Sequence, residues 1–120
     1  MSSSGAERSI FSRIIDREIP ATIVAETDRI IAFNDINPQA PVHIVITTKT
    51  PEFRNVVELA ATDPGLLAEL VDVARQIADE RTGGEFRLIF NTGPAAGQTV
   101  FHVHAHILGG SLEEGSLGSR

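Results

Sequence analysis

The 120-residue sequence contains no cysteine, which excludes a disulfide framework, a thiolate metal site and a thiol nucleophile. Any catalysis falls to other side chains. Cationic residues are scarce: ten lysines and arginines stand against 16 aspartates and glutamates, giving a net charge of -6. A surface that neutralises a nucleic-acid backbone needs clustered Lys and Arg, so no nucleic-acid partner is expected. A small anionic ligand is compatible with this balance, because backbone N–H groups and a few histidines can hold a phosphate without making the whole protein basic. Long apolar runs are missing as well. The polar start, Met1 to Ala6, leads into neither a signal peptide nor a membrane span, so a cytoplasmic protein with no membrane partner is expected.

The length allows one core and not two ordinary domains. Ser2 to Gly5 and Gly115 to Arg120 are poor in apolar residues, which predicts a flexible segment over 1–9, a domain over 10–110 and a tail over 111–120. Within the domain, Ile10, Phe11, Ile14 and Ile15 recur at helical spacing behind Ser9, a residue suited to an N-cap, and Pro20 ends that segment. Three β-rich stretches follow, Ala21 to Glu26, Arg29 to Asn34 and Val42 to Thr48, separated by turn residues. From Asp63-Pro64 the pattern becomes helical, with Leu67, Leu70, Val71, Ala74, Ile77 and Ala78 on one face, until Gly83-Gly84 stops it. Two more strands, Phe86 to Asn91 and Val100 to Leu108, flank a loop of small residues. The order reads as α+β: an antiparallel five-stranded sheet with one long and one short helix.

Three of the four histidines fall together, in Phe101-His102-Val103-His104-Ala105-His106-Ile107. Alternate residues of a strand share a face, so His102, His104 and His106 are expected to line one surface while Phe101, Val103, Ala105 and Ile107 pack behind. Three readings fit such a row. The histidines could simply be solvated. They could hold a metal, although a rise of about 3.3 Å per residue puts the Cα atoms of His102 and His106 about 13 Å apart, too far for all three to share one ion without strain. A site made of two of them and His43 is the remaining metal option. Finally, imidazole can attack phosphorus, since a pKa of about 6.5 leaves it mostly neutral at pH 7. That chemistry needs one ring nitrogen unprotonated, its tautomer held by a hydrogen bond from the other nitrogen to a carbonyl. Directly upstream, Gly93-Pro94-Ala95-Ala96-Gly97-Gln98-Thr99 has the small residues that let backbone N–H groups approach an anion.

The run His102-Val103-His104-Ala105-His106-Ile107-Leu108 resembles the signature of the histidine-triad superfamily, and Gly109-Gly110 after it resembles the Hint branch. Further similar segments occur in the same order: Phe11-Ser12-Arg13-Ile14-Ile15, Glu18-Ile19-Pro20-Ala21, Ala32-Phe33-Asn34-Asp35-Ile36, Pro38-Gln39-Ala40-Pro41-Val42-His43 and Asn91-Thr92-Gly93. The resemblance implies a homodimer whose two sheets join into one. It also implies a purine nucleotide partner, AMP, GMP or their phosphoramidates, and needs no cofactor and no metal. In that pattern His104 is the nucleophile, His106 lies beside the same phosphate, and His43 and His102 complete the polar cluster. Asp35 would hold the ribose hydroxyls, with Phe33 and Ile36 against base or sugar, while Asn91, Gly97, Gln98 and Thr99 would line the phosphate side. The implied activity is hydrolysis of purine nucleoside phosphoramidates through a phosphohistidine intermediate. A dinucleoside polyphosphate hydrolase and a non-enzymatic nucleotide-binding module are the alternatives. The tail from Ser111 and the absence of tryptophan depart from the Hint pattern.

Overall fold

The computed structural model describes residues 8–113; the outer parts of the expected flexible segment and tail, 1–7 and 114–120, lie outside the described residues. Ser9 caps the first helix, α1 (Ile10–Ile15), by accepting the Ser12 N–H on its hydroxyl. Strands β1 (Ile23–Glu26), β2 (Ile30–Asn34) and β3 (Val42–Thr48) form an antiparallel meander. After two helices come β4 (Arg87–Ile89) and β5 (His104–Gly109), and the five strands lie in the order β1-β2-β3-β5-β4. The last strand thus enters between β3 and β4, antiparallel to both.

The long helix is α3 (Pro64–Arg81), and its buried stripe is Leu66, Leu70, Val73, Ala74, Ile77 and Ala78. This is the expected amphipathic helix with two of its six buried positions changed. Leu66 and Val73 occupy the core, Leu67 is half-buried and Val71 is exposed, because the sheet meets the i, i+4, i+7, i+8, i+11 row that starts at Leu66. A second short helix, α2 (Val56–Thr62), precedes it where no element was expected. Its start is nevertheless written locally: Asn55 accepts the Glu58 N–H, and Glu58 reaches back to the Arg54 N–H at 2.9 Å. Asp63 then ends α2 and caps α3 by accepting from the Leu66 N–H, with Pro64 at the first helical position.

One face of the sheet packs on α3, with Ile30, Ala32, Ile44, Ile46, Ala105 and Ile107 in that core. The other face carries a smaller cluster, Phe11 and Ile14 of α1 on Phe33 and Val45. His43, His104 and His106 share this second face with Val45. Among the described residues no helix is long and apolar enough to cross a membrane.

The final strand is shorter than expected at its start. It begins at His104, opposite Thr47, because β3 ends one residue later at Thr48 and leaves no ladder for Val100 to Val103. Those residues find other partners: the Val103 N–H donates to the Phe53 carbonyl and its carbonyl accepts the Thr47 hydroxyl. Phe101, expected behind the histidine row, is exposed in this irregular stretch. Likewise β4 keeps only three residues of Phe86 to Asn91, as an edge strand paired on one side.

Candidate active site

A cleft of about 830 Å³ opens between α1, the β2–β3 connection and the loop before β5. Its floor contains His104 and His106, and its walls contain Phe11, Ile14, Phe33, Asp35, Ile36, Asn91, Gly97 and Thr99. His104 and His106 are two residues apart on β5 and therefore share a face, with ring centroids 5.3 Å apart. Across the sheet, His106 pairs in register with Val45, which brings His43 of β3 beside it.

Which nitrogen of each ring holds the proton follows from the partners. The Gln39 N–H donates to His43 Nδ1 at 2.9 Å, so the His43 proton sits on Nε2. Nε2 donates to His106 Nδ1, also at 2.9 Å, with an Asp35 carboxylate oxygen 3.4 Å away. His106 Nδ1 is then an acceptor, and its proton is on Nε2. His104 has the opposite arrangement. Its Nδ1 lies 2.9 Å from the His102 carbonyl, which can only accept, so Nδ1 carries the proton and Nε2 bears the lone pair. The floor of the cleft therefore pairs an unprotonated nitrogen on His104 with an N–H donor on His106.

All four rings are held below the ordinary histidine range. Burial is the main cause for each; for His43 the neighbouring Asp35 opposes it, and for His104 the His102 carbonyl does. His106 is pushed down to about 4 by burial and by the fields of His104 and His43. Neutral imidazoles at pH 7 are what the tautomer assignments require.

Asp35, His43 and His106 are also the described residues best placed to hold a cation, with one donor atom from each within 4.8 Å of the others. A metal at His43 would need the Nε2 lone pair. The Gln39 N–H at Nδ1 keeps the proton on that nitrogen, so the donor set does not fit an ion without breaking the Gln39 bond.

Several expectations meet different outcomes here. Asp35 opens a turn, accepting the Asn37 N–H at 2.7 Å, and it also lines the cleft. His43 is buried and fully hydrogen-bonded, and reaches the site through His106. His102 does not line the cleft with its neighbours: it precedes the strand and is 1% exposed. Gln98 is the clearest correction. Its side chain turns inward, accepting the Gly93 N–H and donating to the Arg54 and Val100 carbonyls. The loop amides expected to cradle an anion are used within the loop as well, since the N–H groups of Ala96 and Gln98 donate to Gly93 and that of Gly97 to Pro94.

Residues 8–120 match the family model described as scavenger mRNA decapping enzyme C-term binding. An uncharacterized HIT-like protein of Synechocystis is 50% identical over 109 residues, spanning 88% of this chain and 92% of its own length. The chain belongs to the histidine-triad family. The purine nucleoside phosphoramidase of Escherichia coli K12 is 44% identical over 107 residues, covering 88% of this chain and 89% of its own. A solved HIT family hydrolase from Clostridium thermocellum superposes with a TM-score of 0.82 at 41% identity, over 95% of this chain and 96% of that one. Within this histidine-triad fold, three participants were not legible as site residues. Phe11, read only as part of a helical apolar row, is buried in the second cluster and also stands edge-on to His104 with ring centroids 4.7 Å apart. Gln39 acts through its backbone N–H, which no side-chain pattern reveals. Ser9 was recognised as a cap, but not as a partner of His102.

Proposed function

We propose that the chain hydrolyses purine nucleoside phosphoramidates at the α-phosphorus, with His104 as the nucleophile. The observation that carries this reading is the fixed tautomer of His104: the His102 carbonyl takes the Nδ1 proton, and the remaining lone pair belongs to a ring that lines the cleft. Nε2 attacks phosphorus, and the P–N bond breaks as the amine departs with a proton from solvent. Water then attacks the phosphohistidine, releasing the nucleotide, returning the proton and restoring neutral His104. The His106 Nε2–H, with Thr99 and Asn91 of the cleft lining, supplies donors to the nonbridging oxygens. Asp35 takes the ribose hydroxyls, and Phe33 and Ile36 bracket the sugar and base. Ile36 is 91% exposed, a large apolar side chain left open at the cleft rim where a flat ring can cover it.

The testing experiment is release of AMP from an adenosine phosphoramidate by the purified protein and by His104→Ala. Turnover that disappears in the variant while AMP binding persists is the expected result. A protein that binds AMP without releasing it from the phosphoramidate is a binding module, and one that cleaves only diadenosine polyphosphates belongs to the other hydrolase class.

A further inference from the structure

His102 is the triad member that the cleft does not reach, and both of its ring nitrogens are engaged. Nε2 lies 2.6 Å from the Thr48 carbonyl oxygen, so Nε2 carries the proton. Nδ1 is then a lone pair, and its partner at 2.6 Å is the Ser9 hydroxyl, which must be the donor. The same oxygen accepts the Ser12 N–H at 3.0 Å as the N-cap of α1. One hydroxyl thereby joins two structures that meet at the nucleophile. On one side is α1, whose Phe11 ring packs edge-on against His104; on the other is His102, whose carbonyl holds the His104 tautomer.

We propose that Ser9 is a positioning residue for the reaction at His104: its hydroxyl proton keeps His102 neutral and fixes both the His102 carbonyl and the α1 wall against the nucleophile. This rests on the assignment of His104 given above. A hydroxyl is suited to the task because it caps a helix as an acceptor and still has a proton to give. A carboxylate caps equally well but can only accept. Beside Nδ1 it would draw a second proton onto the ring, creating an imidazolium against His104. The groups facing His102 from α1 are Ser9 and Phe11, neither of which titrates near neutrality, and Arg8 is paired away with Asp16 and Glu18. From β3 and the turn after it come the Thr48 and Thr50 backbone groups, and from β5 comes His104, whose field acts on His102.

The test compares Ser9→Thr, Ser9→Ala and Ser9→Asp in the full chain. Two readouts are taken: steady-state release of AMP from an adenosine phosphoramidate, and the nitrogen chemical shifts of the histidine rings at pH 7. Ser9→Thr retains the hydroxyl and is expected to keep both kcat and a neutral His102. Ser9→Ala is expected to lose about tenfold in kcat with KM little changed, the signature of lost transition-state placement. Ser9→Asp, with the helix cap intact, is expected to show a doubly protonated His102 and a kcat below that of the alanine variant. A neutral His102 in the aspartate variant, or wild-type kcat in the alanine variant, overturns the proposal. If the unaltered protein releases no AMP, the phosphoramidase reading fails, and the ring shifts alone still decide whether Ser9 controls the His102 proton.

Discussion

Replacing Gln98 with alanine removes a buried side chain that makes three hydrogen bonds: one accepted from the Gly93 N–H, and two donated to the Arg54 and Val100 carbonyls. The residue is 3% exposed, so water does not readily take over these partners. At a net value of about 1 kcal/mol for each bond, Gln98→Ala costs about 3 kcal/mol of folding stability. With a urea dependence of about 2 kcal/mol per molar, the unfolding midpoint falls by about 1.5 M. Urea titration followed by circular dichroism measures this directly, and calorimetric titration with AMP measures the effect on the cleft. Gln98→Glu should be worse than alanine at pH 7, because a carboxylate would face two carbonyls. A midpoint within about 0.3 M of wild type, combined with lost AMP affinity, would refute the structural role and return the amide to the ligand.

Three further outcomes follow from geometry already described. Gly109→Ala places a Cβ inside the radius of Thr82 Cγ2 and 3.1 Å from Thr82 Cβ, so it should destabilise the fold by about 1–3 kcal/mol, with partial recovery in the Thr82→Ala background; thermal unfolding of the two variants checks this. Stability should fall on acidification. The unfolded chain takes up a proton on His106 near pH 6.5, whereas the folded chain resists it until about pH 4, so the contribution is complete above 6.5 and is lost between those values. His106→Asn should flatten that part of the stability profile, and an unchanged slope would count against a neutral His106. Asp35→Asn keeps the turn acceptor for the Asn37 N–H but removes the charge facing the cleft, so KM for the phosphoramidate should rise about tenfold with kcat nearly constant, as steady-state kinetics will show.

Much of this was legible because it was local. The span Val42 to Thr48 is apolar or β-branched at every position but His43, and it forms β3 with those ends. The Asp63-Pro64 start and the Gly83-Gly84 stop framed α3 for the same reason. The histidine period of two placed His104 and His106 on one face, as the strand geometry demands. What could not be read depended on partners distant in sequence. His102 has the same spacing as its neighbours, but its strand position vanishes because β3 runs out at Thr48, 54 residues earlier. Gln98 looked like a ligand residue in a loop of small side chains until the fold supplied the Arg54 carbonyl as a partner. The replacement of Leu67 and Val71 by Leu66 and Val73 on the buried face of α3 likewise reflects how the sheet meets the helix, which periodicity alone leaves open. By contrast, α2 had a readable start in Asn55 and Glu58, but its single fully buried side chain, Leu59, gives it almost no apolar period.

The ring protons of three histidines in and beneath the cleft are set by main-chain atoms: the Gln39 amide for His43, the Thr48 carbonyl for His102 and the His102 carbonyl for His104. The exposed side chain at 39 can therefore change without altering the His43 tautomer, whereas Thr48 is fully buried and donates its hydroxyl to the Thr50 carbonyl. Proline at 39 is the exception, because it alone deletes the amide hydrogen. The tautomers of His43 and His104 rest on contacts local to the chain, whereas one residue of slip between β3 and β5 would part His106 from His43 and His102 from the Thr48 carbonyl.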